Sequence, residues 1–223
     1  MSSISERLTH VQAELAACAT RCDRAPGSVR LIAVSKTRPV VEVLAAAAAC
    51  QLRFGENRVQ ELLPKYEAAP HLEWHLIGAL QTNKVKYITP FIHTIHSVDS
   101  FRLLEEIEKQ AARHPRQVRC LIQINISEEE QKSGTDETTA LDMLARAADF
   151  PHILFDGLMG LAEHTEDDLK VQTQFARLRR LHERCRPLVG PTTPLAHLSM
   201  GMTDDYPLAI AEGATYVRIG SAI

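Results

Sequence analysis

The feature that most constrains the fold is an alternation of short apolar runs with longer helical stretches along the chain. Eight apolar runs have the length and β-branched content of buried strands. We place these strands at 29–35, 52–55, 73–78, 93–97, 118–125, 153–159, 195–199 and 215–219. Helical stretches separate them, near 39–50, 57–68, 81–88, 100–113, 135–149, 165–185 and 206–212. This order predicts an α/β fold built on a parallel sheet.

The fold we predict is a single (β/α)8 TIM-type barrel over residues 1–223, with an additional N-terminal helix at 4–23. An open dinucleotide-binding sheet would want about six strands and a Gly-x-Gly-x-x-Gly turn, which the sequence lacks. Ser3 and Glu6 can form a capping box at the start of the N-terminal helix. The last predicted strand ends close to Ile223, so we expect this helix to cover the closing seam of the barrel.

The composition of the 223-residue chain argues against several classes of protein. A formal net charge of −3 without a basic block makes nucleic acid an unexpected partner. No apolar run reaches the roughly 20 residues of a membrane span, and the first residues lack the apolar core of a signal peptide. The five cysteines include no Cys-x-x-Cys pair, which argues against a disulfide framework and a zinc site, so we predict no metal. We therefore expect a monomeric cytoplasmic protein.

Lys36 has the most distinctive position of any residue. It follows the apolar run Leu-Ile-Ala-Val-Ser at 31–35, and a strand buried on both faces hardly accommodates a lysine in its middle. Lys36 therefore lies at the carboxyl end of a strand, where barrels of this kind carry their chemistry. A lysine held over apolar surface has a lowered pKa and can form an imine with an aldehyde. The alternative is a lysine whose side chain simply reaches solvent at a strand end.

The last two predicted strands end in small residues and hydroxyls, namely Ser199, Gly201, Gly220 and Ser221. Barrels often bind phosphate with the loops that follow the seventh and eighth strands, through backbone N–H groups and small side chains. A charge-assisted hydrogen bond contributes about 1.5–3 kcal/mol, so several of them would hold a phosphate group firmly. The alternative interpretation is that these glycines and serines only make turns.

Arg218 would lie on the eighth strand, next to the first strand in a closed barrel, and could point inward near Lys36. A buried arginine needs a partner, and an ion pair with Glu56 or Asp99 is one interpretation. The other is a hydrogen bond to the nitrogen of an aromatic ring. Because a guanidinium keeps its protons, that bond would leave the ring nitrogen unprotonated.

Seven motifs occur in order along nearly the whole chain. They are Ala-Val-Ser-Lys-Thr (33–37), Phe-Gly-Glu-Asn-x-Val-Gln-Glu (54–61), Trp-His-Leu-Ile-Gly-x-Leu-Gln-x-Asn-Lys (74–84), His-Ser-Val-Asp (96–99), Gly-Leu-Met (157–159), Leu-Ser-Met-Gly-Met-Thr-x-Asp (198–205) and Val-Arg-Ile-Gly-Ser-Ala-Ile (217–223). Together they resemble the pyridoxal phosphate homeostasis proteins, single-domain relatives of the N-terminal barrel of alanine racemase. Two departures are Ala79, where many relatives carry a larger or polar residue, and Pro207, which favours a helix start near Tyr206 rather than at Asp204.

The resemblance implies that Lys36 carries pyridoxal 5′-phosphate, covalently bound as an aldimine. It also implies a place near the cofactor for six further residues: Arg218 at the pyridine nitrogen, Ser199, Gly201, Gly220 and Ser221 around the phosphate, and Asn57 close by. The function implied is a protein that binds this cofactor, limits its free concentration and supplies it to apo-enzymes, without robust catalytic turnover.

Two other functions stay open at this point. A pyridoxal-phosphate-dependent amino-acid racemase is the main alternative, but racemisation needs acid and base groups on both faces of the substrate. In alanine racemase the partner of the lysine comes with a second, β-rich domain, which we do not expect here. An unprotonated pyridine is also a weaker electron sink, which disfavours most other reactions of this cofactor. The third hypothesis is a cofactor-free lyase that forms a Schiff base with a sugar phosphate.

Overall fold

The barrel is the main feature of the structure, a computed structural model that describes residues 2–127, 133–190 and 193–223. Eight parallel strands pair in chain order, and the eighth pairs with the first. They are β1 Arg30–Val34, β2 Arg53–Glu56, β3 Glu73–Leu76, β4 Thr94–Val98, β5 Val118–Ile124, β6 Ile153–Gly160, β7 His197–Ser199 and β8 Tyr216–Ile219. The predicted (β/α)8 TIM-type barrel is confirmed, and the strand ends differ from the predicted ones by at most two residues.

The helices surround the strands. Those in the described residues are α1 Ile4–Arg21, α2 Val40–Ala48, α3 Val59–Ala68, α4 Val85–Ile88, α5 Phe101–Ala111, α6 Glu137–Ala145, α7 Asp168–Cys185 and α8 Tyr206–Ala211. α8 begins at Tyr206 with Pro207 in its first turn, as predicted, because a proline there needs no partner for an N–H. Within the same residues, every helix is too short or too polar to cross a membrane.

Most of the predicted helices are shorter than the pattern indicated, for example 135–149, of which only Glu137–Ala145 is α-helical. The stretch 81–88 folds as a 3-10 turn over Thr82–Lys84, followed by the single-turn α4. α7 begins three residues later than predicted, because the Asp167 carboxylate accepts a hydrogen bond from the Lys170 backbone N–H and caps the helix there. The single-domain organisation over residues 1–223 stays a prediction.

Strand β1 shows how the two faces of the barrel wall are filled. Leu31 and Ala33 belong to the apolar cluster between the strands and the helices. Ile32, fully buried between them, points the other way into the barrel interior and pairs in register with Arg218 of β8. The strand ends at Val34, and Lys36 follows in a turn two positions beyond it.

Helix α1 covers the seam between β8 and β1, as predicted. It packs against α2, which follows β1, and against α8, which precedes β8. Its capping box forms as expected: the Glu6 N–H donates to Ser3 Oγ, and the Ser3 N–H donates to the Glu6 carboxylate. Just beyond the helix, Arg24 donates to the carbonyl oxygens of Ile210 and Ala214 at 2.8 and 2.7 Å. The first helix is therefore tied to the last part of the barrel.

Candidate functional site

The predicted site residues all lie at the carboxyl end of the barrel. They come from four strands that follow one another around it, in the order β7, β8, β1 and β2. Lys36 follows β1, Asn57 follows β2, Ser199 ends β7, Gly201 comes after it, Arg218 lies in β8, and Gly220 and Ser221 come after β8. Because the strands are parallel, these ends meet at one mouth of the barrel. That these residues bind pyridoxal 5′-phosphate stays a prediction.

Lys36 lies in a turn whose backbone is anchored on both sides. Before it, the Ser35 N–H donates to the Gly55 carbonyl of β2 at 3.0 Å. After it, Thr37 has a positive φ of 63°, and its N–H donates to the Glu61 carboxylate at 2.9 Å. The Lys36 side chain is exposed, which agrees with the alternative of a lysine that reaches solvent at a strand end. An accessible amine therefore sits on a fixed backbone.

A buried ion pair supports this turn. Lys65 Nζ lies 2.5 Å from Glu56 Oε1 and donates to the Ser35 carbonyl at 2.6 Å. Ser35 Oγ donates to the same Glu56 oxygen at 2.6 Å. Lys65 is 5% exposed and Glu56 is 0% exposed, so neither charge has water to solvate it. The sequence interpretation missed this pair, although Lys65 follows Val59 and Leu62 on the buried stripe of α3, where a lysine signals a buried partner.

The loops after β7 and β8 are built on two glycines that a larger residue could not replace. Gly201 has a φ of 93°, and a Cβ there would lie 2.7 Å from a side-chain atom of α8. A Cβ on Gly220 would lie 2.9 Å from a carbonyl oxygen of β1. Next to them, the exposed Ser221 donates its hydroxyl to Thr203 Oγ1 at 3.0 Å. Backbone loops without side chains, flanked by exposed hydroxyls, suit a phosphate group.

Arg218 is the buried cation of the site, with 4% of its surface exposed. Its Nη1 donates to Ser199 Oγ at 2.6 Å, and its Nη2 donates to a backbone carbonyl of β6 at 3.1 Å. Burial lowers the pKa of Arg218 to about 10, while the charge of Asp205 acts against that shift, so the guanidinium is protonated at neutral pH. The alternative ion pair with Glu56 or Asp99 is not formed within the described part of the chain.

Behind Ser199, a chain of hydrogen bonds runs into the barrel interior. His96 Nδ1 lies 2.9 Å from Ser199 Oγ, and His96 Nε2 lies 2.9 Å from His75 Nδ1. Both rings are fully buried, and burial holds their pKa values well below the usual range, so both are neutral. Branched aliphatic side chains fill most barrel interiors, and we did not predict these histidines. Their signal was a polar residue inside the predicted strands 73–78 and 93–97.

Asn57 lies at the edge of the site, half-buried at the end of β2. Gly78 approaches it so closely that a Cβ there would lie 2.4 Å from the Asn57 carbonyl oxygen. Asn57 also lines a surface groove of about 550 Å³, together with Ala79, Gln81 and Lys84. This groove extends the site toward β3 and holds a second lysine that a ligand could reach.

Comparison with known proteins gives whole-length matches. The sequence matches the model of the alanine racemase N-terminal domain over residues 7–223. A pyridoxal phosphate homeostasis protein of Aquifex aeolicus is 38% identical over 221 residues, which cover 98% of this chain and 96% of that protein. The pyridoxal phosphate homeostasis protein of Escherichia coli is 36% identical over 228 residues, covering 100% of this chain and 96% of its own.

Solved structures give the same picture. PipY of Synechococcus elongatus, with PLP bound, matches with a TM-score of 0.86 and 35% identity over 99% of both chains. An unknown protein from Bifidobacterium adolescentis matches with a TM-score of 0.92 and 38% identity, over 99% of this chain and 94% of the other. The alanine racemase of Corynebacterium glutamicum shares the fold, with a TM-score of 0.74 at 17% identity, over 98% of this chain and 60% of the racemase.

Proposed function

Since the chain belongs to the pyridoxal phosphate homeostasis protein family, we propose that it binds pyridoxal 5′-phosphate through Lys36, buffers it and supplies it to apo-enzymes. The observation that carries this proposal is that the exposed amine of Lys36 and the glycine loops lie at the same mouth of the barrel. Lys36 follows β1, and Gly220 is packed against that same strand. An aldehyde and a phosphate on one small molecule would find both partners there. We expect the protein to act as a monomer in the cytoplasm.

Each residue of the mouth has a role in this proposal. Lys36 supplies the amine for the covalent link, because it is exposed on an anchored turn. Gly201 and Gly220 leave room for backbone N–H groups to approach the phosphate, and Ser221 adds a hydroxyl. When bound, the cofactor supplies an aldehyde that exchanges reversibly between amines. Lys36 can then give up what it holds to a competing amine, as a carrier requires.

Arg218 favours a carrier over a racemase. The guanidinium stays protonated, so all five of its N–H groups are donors and none can accept a hydrogen bond. Two of them donate to the partners described above. A ring nitrogen that faces Arg218 would accept a hydrogen bond and remain unprotonated. Such a ring withdraws electrons weakly, which disfavours loss of an α-proton. Ser199 holds the guanidinium in place, and Asn57 lines the neighbouring edge of the site.

Borohydride reduction followed by peptide mapping tests the covalent link. The cofactor-loaded protein should carry the pyridoxyl mass on the peptide that contains Lys36, and Lys36→Ala should remove it. Lys84→Ala is the matched control, because Lys84 lies in the groove beside Asn57 and should not be labelled. Recovery of most of the label at Lys84 or Lys86 would overturn the assignment of Lys36.

A second experiment separates the carrier from the racemase. The loaded protein is incubated with L-alanine in heavy water and, in parallel, with an apo-enzyme that requires pyridoxal phosphate. We expect activation of the apo-enzyme, with no α-deuterium and no D-alanine above a cofactor-only control. Racemisation at a typical enzyme rate, on the order of 1 per second or faster, would favour the racemase instead.

A further inference from the structure

A second cluster of polar side chains lies at the opposite, amino-terminal end of the barrel. Glu73 and His75 belong to β3, and His93 directly precedes β4. One ligand atom from each of the three lies within 4.8 Å of the others. His93 Nε2 is 4.0 Å from Glu73 Oε2. Two imidazoles and a carboxylate therefore point at one small volume, on neighbouring strands and far along the barrel from the Lys36 mouth.

His75 gives an independent sign that this volume lacks a partner. The residue is fully buried, and its Nε2 has no hydrogen-bond partner among the residues that the structure describes. A buried imidazole nitrogen without a partner is costly in a folded protein, so such an atom calls for an explanation. A metal ion on His75 Nε2 would supply the missing partner.

The second ring nitrogen of each histidine already has a partner, and the Glu73 oxygen that faces His93 is shared with an arginine. His75 Nδ1 lies 2.9 Å from His96 Nε2, and His93 Nδ1 lies 2.9 Å from Thr94 Oγ1. Glu73 Oε2 lies 3.0 Å from the Arg53 guanidinium. Metal-binding histidines almost always use their second nitrogen in this way, which fixes the ring and leaves the first nitrogen free to coordinate. The cluster has the outer contacts of a metal centre as well as its ligands.

The charges around the cluster are mixed. Arg53 and Arg119 bring positive charge, while Glu73 and Asp156 bring negative charge, and each arginine is paired with one of these carboxylates at 3.0 Å. A dication would bind the two imidazoles and share the Glu73 carboxylate with Arg53.

We propose that Glu73, His75 and His93 bind a divalent transition metal of the zinc type at the amino-terminal mouth of the barrel. Zinc takes histidine nitrogen and carboxylate oxygen in sets of three, with a water molecule in the fourth position, whereas Mg²⁺ and Ca²⁺ prefer oxygen alone. The side chains of His93 and Glu73 are 35% and 32% exposed, so an ion reaches the cluster from solvent. The cysteine count gave no sign of this site because its ligands are histidine and glutamate. Its ligands are distinct from the residues proposed to bind the cofactor near Lys36.

Titration of the cofactor-free, full-length protein with Co²⁺, followed by competition with Zn²⁺, tests the proposal. We expect one Co²⁺ per chain with the strong visible bands of a four-coordinate site, and their loss when Zn²⁺ is added. Thr94→Val removes only the outer contact to His93 and keeps the size of a fully buried residue, so it should weaken binding about tenfold or more. His93→Ala should weaken it further.

The controls make the outcome decisive. His71→Ala removes an exposed histidine two positions before Glu73 and should leave Co²⁺ binding unchanged. Should His93→Ala fail to fold, Glu73→Gln at a partly exposed position replaces it and should also weaken binding about tenfold or more. Absence of four-coordinate bands in the parent protein would overturn the proposal. Equal Co²⁺ affinity in the parent, Thr94→Val and Glu73→Gln would overturn it as well.

Discussion

The carboxyl mouth of the barrel and its interior are both polar, but the polar side chains are exposed at the mouth and buried in the interior. At the carboxyl mouth, Lys36 and Ser221 are exposed, and the backbone around them is fixed by glycine contacts and by a buried ion pair. In the interior, His75 and His96 are buried and bonded to each other. A site that exchanges an organic ligand needs reachable groups on a rigid frame. The buried polar groups of the interior, which are bonded to one another, contribute rigidity to the barrel instead.

The largest expected effect comes from the ion pair that supports the Lys36 turn. Lys65→Met leaves the Glu56 carboxylate buried without its cation, and breaking a buried pair in this way costs about 3–5 kcal/mol of unfolding free energy. Urea unfolding measures the loss. The double variant Lys65→Met with Glu56→Gln removes both charges and should recover a large part of it. Arg38→Ala, which breaks an exposed pair, should change the free energy by about 0.5 kcal/mol or less.

The next effect is a pH dependence that arises in the interior. Burial lowers the pKa of His197 to about 4, against the opposing charge of Asp156. In the unfolded chain His197 is protonated below its ordinary pKa of about 6.5. In the folded protein it becomes protonated only below about pH 4. Stability is therefore unaffected by His197 above about pH 6.5 and falls by about 3 kcal/mol as the pH drops to about 4.

Urea unfolding across this pH range checks the effect of His197. His197→Asn should make the pH dependence of the unfolding free energy less steep, while the buried His75 and His96, whose pKa values are also lowered, keep the rest of it. The exposed His10, changed to Asn, serves as the control and should leave the slope as in the parent protein. A slope that is the same in the His197 variant would assign the acid sensitivity to other groups.

Ser199 links the two regions, and its removal should have an intermediate effect. Ser199→Ala takes a partner from Arg218 Nη1 and another from His96 Nδ1, both buried. An unsatisfied buried group costs about 1–3 kcal/mol, so thermal or urea unfolding should show a loss in that range. An unchanged stability would mean that water replaces the hydroxyl, and that this part of the interior is less closed than described.

The smallest expected effect on stability belongs to Ser221. Ser221→Ala alters an exposed hydroxyl and should change the unfolding free energy by about 0.5 kcal/mol or less. It should still weaken binding of pyridoxal phosphate about tenfold relative to unphosphorylated pyridoxal, since one charge-assisted hydrogen bond is lost. Equal weakening of both ligands, measured by titration of the cofactor-free protein, would place the phosphate elsewhere.

The strands and the position of Lys36 could be predicted from the sequence for one physical reason. A strand buried on both faces must be a continuous apolar run, and its first charged residue then marks the end of the sheet. Arg218 could be placed by the same logic, because closure of the barrel brings the eighth strand against the first. The register that pairs it with Ile32 agrees with this placement.

The buried polar groups could not be predicted in this way. A local pattern says that His75 and His96 lie in strands, but closure and stagger of the barrel decide that both face the interior and meet. The Lys65–Glu56 pair depends on how α3 packs over the end of β2. Whether Lys36 is exposed could not be decided from the sequence, because the apolar run 31–35 does not show where the strand ends and the turn begins.

The seam under α1 has a consequence for the order in which the molecule is assembled. Arg24 joins Ile210 and Ala214 across 186 and 190 positions of the chain. Contacts between such distant positions form late, since a long loop must close before they stabilise anything. Until then the buried face of α1, with Leu8, Val11 and Leu15, lacks its contacts with α8. We therefore expect refolding to be slow and to lose material to aggregation as protein concentration rises, with α1 the last helix to become protected from hydrogen exchange.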